Sequence, residues 1–134
     1  MGHWLLLADP KSYGMDDLMK NRDAVWDGIA GSAAQKHLRG FKKGDKALIY
    51  HTAPDKAVMG SATVTRGPYP DPSDEEGKRV VVDLRAGARL VKPVSLVSMK
   101  KNAKLAGMAF LKIQRIAVSP LSEAEYEEIV RMGR

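Results

Sequence analysis

Three strand-like segments fill the middle of the sequence: KALIYH (residues 46–51), AVMGSATVT (57–65) and VVVDLR (80–85). Each is rich in β-branched or aromatic residues and is bounded by glycine, proline or charged residues, which is typical of short β-strands. The apolar stretch WLLLA (4–8) predicts a buried strand that ends at Asp9-Pro10, and RIAVS (115–119), closed by Pro120, predicts another. The sequence therefore predicts about five to six strands.

Short helices are predicted between these strands. The patterns indicate helices over 13–19, over 32–38 with Ser32 as cap, over 95–99 with Ser95 as cap, and over 122–130, where Ser122 and Glu125 form a capping box. Residues 67–77 contain three prolines and an acidic tip and predict one surface loop. Short strands with helices inserted irregularly favour an α+β domain, a small mixed β-barrel with peripheral helices whose sheet curls to remove its edges.

Length and composition indicate one globular domain over residues 1–134. A hydrophobic fraction of 44% is sufficient for one core, and the absence of cysteine excludes disulfides and thiolate metal sites. The N-terminus shows no cleavable leader, and its longest apolar run is too short to span a bilayer. We therefore expect a cytoplasmic protein with no membrane partner.

The net charge of +6 favours an anionic partner. Ten basic residues stand against the single acid Asp83 between Lys78 and Arg115, whereas four glutamates cluster between residues 123 and 128. This polarity fits a nucleic-acid surface, although ordinary solvated faces would give a similar pattern.

The sequence lacks the main catalytic and cofactor motifs, including the P-loop, G-x-G-x-x-G, G-x-S-x-G and H-E-x-x-H. The spacing of the three histidines matches no metal motif, so we predict neither a metal nor a cofactor. Asp9 and Asp27 each precede a turn-forming residue and could form an acid and base pair or cap backbone amides. His51 could face a cavity or be a hydrogen-bonded structural residue. Trp4 and Trp26 could be core residues or stacking platforms for a base.

Three segments together resemble the EVE family, PUA-like barrels related to the YTH readers of methylated RNA. HWLLLADP (3–10) resembles the family's Y-W-L-(L/V)-K-S-E-P, and VWDGI (25–29) is similar to its W-D-G-V. FKKGD (41–45) and YHT (50–52) resemble its M-K-x-G-D and Y-H-S. The likeness continues through residues 62–64, 68–72, 82–83, 92–96 and 116–121, so it covers nearly the whole chain.

The resemblance implies a pocket for a modified base, cytosine derivatives in particular, carried by DNA or RNA. The implied ligand-binding residues are Trp4 and Trp26 as walls or supports, Asp9 and Asp27 as polar readers, and Tyr50, His51 and Thr52 at the rim. Basic residues expected to attract the nucleic-acid backbone are Lys36, Arg39, Lys42, Lys43, Arg85 and Arg89.

The segment AGSAAQK (30–36) departs from the family's R-N-Y-Q-A-R-N, and Leu7 and Ala8 replace its lysine and serine. We therefore expect a roomier and more apolar pocket. The leading hypothesis is a non-catalytic reader of a modified base. The alternative is a protein that binds a free small molecule or nucleobase-like metabolite, with no nucleic-acid role. A nucleotide-acting enzyme using Asp9, Asp27 and His51 ranks third, because the sequence offers no nucleophile or metal.

Overall fold

The computed structural model of the chain describes residues 2–134. None of the helices in this range is long and apolar enough to cross a membrane. The elements, in chain order, are β1 (His3–Ala8), α1 (Met15–Asn21), β2 (Asp23–Trp26), α2 (Ser32–Leu38), β3 (Lys46–His51), β4 (Ala57–Pro70), β5 (Val80–Ser95), α3 (Leu96–Lys101), a 3-10 turn (Ala103–Leu105), α4 (Ala109–Lys112), β6 (Val118–Leu121) and α5 (Glu123–Met132).

The six strands form one mixed sheet in the order β2-β5-β4-β3-β1-β6. β1 and β3 run parallel, and every other neighbouring pair is antiparallel. The α+β class and the strand number are as predicted, but the closed barrel is wrong, because β2 and β6 remain the two edges of the sheet. Both edge strands have only four residues, and helix α2 packs against β6 and β5, so a helix rather than strand pairing bridges the gap.

Several element boundaries differ from the predicted ones. β4 and β5 are longer, because Tyr69 and Pro70 pair with Val81 and Val80 where a loop was predicted. Gly67 has φ 120° at an irregularity in this pairing, which is how the strand accommodates its prolines. The loop is thus confined to the acidic tip after Pro70, and β6 begins only at Val118.

Both faces of the sheet are buried, so two hydrophobic clusters share it where one core was expected. Side chains alternate along a strand, and accordingly Leu6 and Ile49 belong to one cluster while Leu5 and Leu48 belong to the other. Burial on both faces explains why β1 and β3 have nearly continuous apolar sequences. The first cluster contains Trp26 of β2 and Val118 of β6, so it includes residues of both edge strands.

Candidate functional site

A cleft of about 580 Å³ opens between the free edge of β2 and the end of β1. The far wall is fixed by the backbone N–H of Leu7, which donates to the carbonyl of Ala117 at 2.9 Å, just before β6. The cleft therefore lies where the sheet fails to close, and its volume is in the range of small-ligand sites. Its lining comprises Leu7, Ala8, Asp9, Ser12, Tyr13, Asn21, Asp23, Ala24, Val25, Trp26, Asp27, Gly28, Ile29 and Ala117.

Trp26 and Tyr13 supply the aromatic wall of the cleft. Their rings meet edge to face with centroids 6.1 Å apart, and Trp26 is only 8% exposed. The Nδ2 of Asn21 donates to the Tyr13 hydroxyl at 2.9 Å, which holds that ring from the end of α1. Packing and this hydrogen bond together give the wall a fixed orientation.

Three carboxylates line the cleft, and they differ in what they contact. Asp9 accepts from the backbone N–H of Lys11 at 3.0 Å, and Asp23 accepts from the Nε of Arg85 at 3.0 Å. Asp27 is exposed, and its carboxylate has no hydrogen-bond partner among residues 2–134. Since no lysine or arginine in the described range lines the cleft, the cleft favours a ligand that donates hydrogen bonds over a phosphate.

Trp4 lies away from this cleft, at the opposite end of β1. Its indole Nε1 donates to Asp45 at 3.0 Å, and its ring stacks on Phe41 with centroids 4.5 Å apart. The Asp45 carboxylate also accepts from the backbone N–H groups of Gly2 and Lys42, each at 2.9 Å. Burial alone would raise the pKa of Asp45, but these three hydrogen bonds lower it below its ordinary value.

Tyr50, His51 and Thr52 stand behind the cleft wall and do not line it. Tyr50 is buried against Phe110 on the other face of the sheet, and this burial raises the pKa of its hydroxyl. His51 bonds the start of α1, because its Nε2 accepts from the backbone N–H of Met15 at 2.9 Å. Thr52 donates its backbone N–H to the carbonyl of Ala8 at 3.0 Å. Of the seven ligand residues suggested by the sequence, only Asp9, Trp26 and Asp27 line the cleft together.

The six basic residues suggested for backbone contact lie at separate places. Arg85 pairs with Asp23 at the cleft, and Arg89 pairs with Asp16 of α1. Lys36 and Arg39 are exposed on and just after α2, with Arg39 donating to the carbonyl of Lys78 at 2.7 Å. Lys42 and Lys43 precede β3, near Trp4 and away from the cleft.

Gln35 is a positioning residue that sequence reasoning did not single out. Its side chain is 5% exposed, and its Nε2 donates to the carbonyl of Ile29 at 2.6 Å, while its Oε1 accepts from the backbone N–H of Val80 at 2.9 Å. It thereby ties the segment after Trp26-Asp27 to the start of β5. The available signal was a lone amide on the apolar face that Ala34 and Leu38 define.

Among residues 2–134, no group of three or more histidine, cysteine, aspartate or glutamate side chains is arranged to hold a metal ion.

Gly28 has φ 76°, a left-handed conformation that favours glycine, and it turns the chain away from β2 directly after Asp27. The site is therefore an aromatic and carboxylate cleft at a sheet edge.

The chain is an α+β domain with one open mixed sheet and a cleft between the edges of that sheet. The model of the EVE domain family matches residues 2–132, and the chain belongs to that family. A protein from Rhodopseudomonas palustris, solved by NMR, is 32% identical and superposes with a TM-score of 0.94 over 99% of this chain and 93% of its own. Human thymocyte nuclear protein 1 is 23% identical over 97% of this chain and 73% of its own length. The structure of human THYN1 in complex with DNA containing 5-methylcytosine is 22% identical, with a TM-score of 0.88 over 100% of this chain and 98% of that one.

Proposed function

We propose that this EVE domain binds a modified base, carried by DNA or RNA, in the cleft beside Trp26, and that it does so without catalysis. The observation that carries the proposal is the pairing of a fixed aromatic wall with the free carboxylate of Asp27 in one cleft of ligand size. The human THYN1 structure, in which a protein of this fold is bound to DNA containing 5-methylcytosine, supports the same class of ligand.

The two halves of the cleft suit the two parts of a base. Apolar and aromatic side chains can contact the ring faces and any added methyl group, and such stacking contributes roughly 1–3 kcal/mol per base. The Asp27 carboxylate can accept a hydrogen bond from an exocyclic amino group. A base reaches such a cleft from a single strand or after it has been flipped out of a duplex.

The nucleic-acid backbone would lie outside the acidic cleft and contact the basic surface around it. A net charge of +6 provides general attraction for phosphates. Binding that depends on such charges weakens steeply with salt, because condensed counterions are released from the nucleic acid. This gives the proposal a second, independent signature.

Among residues 2–134, the three groups considered for acid and base chemistry, Asp9, Asp27 and His51, are not hydrogen-bonded to one another. The Asp9 carboxylate is engaged by the turn at Lys11, and His51 is 6% exposed with both ring nitrogens engaged, one by Met15 and one by Asp55. Within the described range, Asp27 forms no hydrogen bond with Asp9 or His51. We therefore propose a binding role and, with a cysteine-free chain, a cytoplasmic location.

The test is a titration of the purified protein with matched oligonucleotides that contain cytosine or 5-methylcytosine, as single-stranded DNA, duplex DNA and RNA. We expect a preference for the modified base, a steep loss of affinity with rising salt, and strong weakening in Trp26→Ala and Asp27→Asn. Trp4→Phe is the matched control, since Trp4 lies at the opposite end of β1. Folded wild-type protein that binds none of these oligonucleotides at low salt would refute the proposal.

A free base or nucleoside is the second candidate ligand, and a specific observation favours it. No lysine or arginine of residues 2–134 lines the cleft, and two of the suggested backbone cations, Arg85 and Arg89, already have acidic partners. This candidate predicts that 5-methylcytidine raises the melting temperature while every oligonucleotide fails to bind.

A further inference from the structure

We infer that the free edge of β2 reads the base directly, with the backbone N–H and C=O of Val25 forming in-plane hydrogen bonds to it. The inference rests on the proposed function and specifies which atoms of the cleft meet the hydrogen-bonding edge of the ligand. It requires no particular side chain at position 25.

The register of β2 on β5 decides which backbone groups are free. Val25 pairs with Asp83, Ala24 with Leu84 and Asp23 with Arg85. The backbone N–H of Ala86 donates to the carbonyl of Arg22 at 2.7 Å, so Arg22 points its carbonyl toward β5. Because orientation alternates along an antiparallel strand, Ala24 and Trp26 also bond β5, whereas Asp23 and Val25 direct their backbone groups away from it.

Those outward groups lie on the cleft side of the strand. β2 is an edge strand, no other strand of residues 2–134 pairs with its outer side, and Asp23 and Val25 both line the cleft. The Val25 side chain is 49% exposed, while Trp26 and Ala24 pack into the core. Position 25 therefore presents backbone to the cleft and directs its side chain to the outer face of the sheet.

Three backbone groups of the opposite wall are already bonded. The N–H of Leu7 donates to Ala117, the carbonyl of Ala8 accepts from Thr52, and the carbonyl of Asp9 accepts from Ser12 and Tyr13. A planar ligand between the two walls therefore finds adjacent free donor and acceptor groups on the β2 side.

An extended residue presents its N–H and C=O side by side, as in a hydrogen-bonded pair of a β-sheet. Their partner must carry a donor next to an acceptor in one plane, which is what the Watson–Crick edge of a nucleobase offers. For a cytosine, N3 would accept from Val25 and the amino group would donate to it. These hydrogen-bonding groups belong to the backbone and are positioned by the strand pairing. They are therefore present although the segment 30–36 and residues 7–8 lack polar side chains that the family usually carries there.

Val25→Pro tests the inference because it removes this N–H and leaves the ladder to β5 intact. Proline is tolerated on an edge strand where its missing N–H would face solvent. With a duplex containing one 5-methylcytosine, we expect about a tenfold or greater loss of affinity for Val25→Pro, and near wild-type affinity for Val25→Ala. Ala24→Pro is the structural control, because it removes a ladder bond and should lower the melting temperature.

Amide hydrogen exchange of the wild-type protein provides a measurement that does not depend on folding of the variant. The Val25 amide should exchange quickly in the free protein and become protected when the methylated duplex is bound. Unchanged exchange at Val25, or full affinity in folded Val25→Pro, overturns the inference. If binding in that case still depends on Trp26, the proposed function stands. If the wild-type protein binds no oligonucleotide at all, both the inference and the proposed function are overturned.

Discussion

The backbone N–H of Met15 donates to the Nε2 of His51 at 2.9 Å, across thirty-six positions of sequence. Since Nε2 accepts this bond, the ring proton is on Nδ1, which faces the Oδ2 of Asp55 at 2.9 Å. His51 thus satisfies a buried donor at the start of α1 and connects the end of β3 to that helix.

His51→Ala should destabilise the fold by about 1–3 kcal/mol, because it leaves the buried Met15 N–H without a partner. Urea unfolding measures this cost. Asp55→Ala is the control and should cost less than about 1 kcal/mol, since an exposed partner is screened by solvent. A His51→Ala protein of unchanged stability that has lost base binding would instead place His51 in contact with the ligand.

The carboxylate of Asp45 should make stability depend on pH in the acid range. Its folded pKa is lowered, so its contribution is complete above the unfolded value near 3.9 and is lost as pH falls below that value through the folded pKa. Asp45→Asn should therefore cost about 1–3 kcal/mol near pH 6 and clearly less near pH 3.

Glu128 titrates in an overlapping range, because hydrogen bonds from Arg131 and Asn102 lower its pKa to about 2. The Asp45→Asn comparison is therefore best made by urea unfolding in a Glu128→Gln background. An Asp45→Asn cost that does not shrink at low pH would show that the folded state does not depend on this charge.

Local sequence predicted the elements whose burial pattern is continuous. β1 and β3 are apolar on both faces, and the last helix begins at the capping box of Ser122 and Glu125. β2 could not be predicted in the same way, because DAVW is four residues long with two exposed positions and becomes a strand only by pairing with β5. The packing of α2 against β6 and β5, on the two sides of the open sheet, likewise joins residues far apart in sequence, which no local pattern encodes.

For the site, the family resemblance suggested Trp4, Trp26 and Asp27 together, and of these Trp26 and Asp27 line the cleft while Trp4 does not. Both tryptophans stand next to apolar residues, so the local sequence does not distinguish them. Trp4 is held at the other end of β1 by its hydrogen bond to Asp45, forty-one positions away in sequence. Val25 was missed for a different reason, because its proposed contribution is made by backbone atoms whose direction depends on strand register.

Gln35 should stabilise the fold next to the cleft through its hydrogen bonds to the backbone of Ile29 and Val80. Gln35→Ala leaves the Ile29 carbonyl and the Val80 N–H without their partner, at an expected cost of about 1–3 kcal/mol. Gln35→Glu should be at least as damaging, because a carboxylate cannot donate to the Ile29 carbonyl. Thermal unfolding measures both, with the exposed Lys36→Ala of the same helix as control. Equal stability of Gln35→Glu and wild type would contradict this role.

Substitutions of Asp27 and Asp9 should have different effects, because we expect Asp27 to contact the ligand and Asp9 to stabilise a turn. Asp27→Asn removes a carboxylate that no residue within 2–134 uses, so stability should change by less than about 0.5 kcal/mol. Its affinity for methylated DNA should fall about tenfold, since a hydrogen bond to a charged group contributes about 1.5–3 kcal/mol. Asp9→Ala should instead lower stability by about 1 kcal/mol, because Lys11 and Ser12 lose their acceptor. Paired binding titrations and urea unfolding curves test both variants. A stability loss in Asp27→Asn with no change in affinity would mean that the Asp27 carboxylate does not contact the ligand.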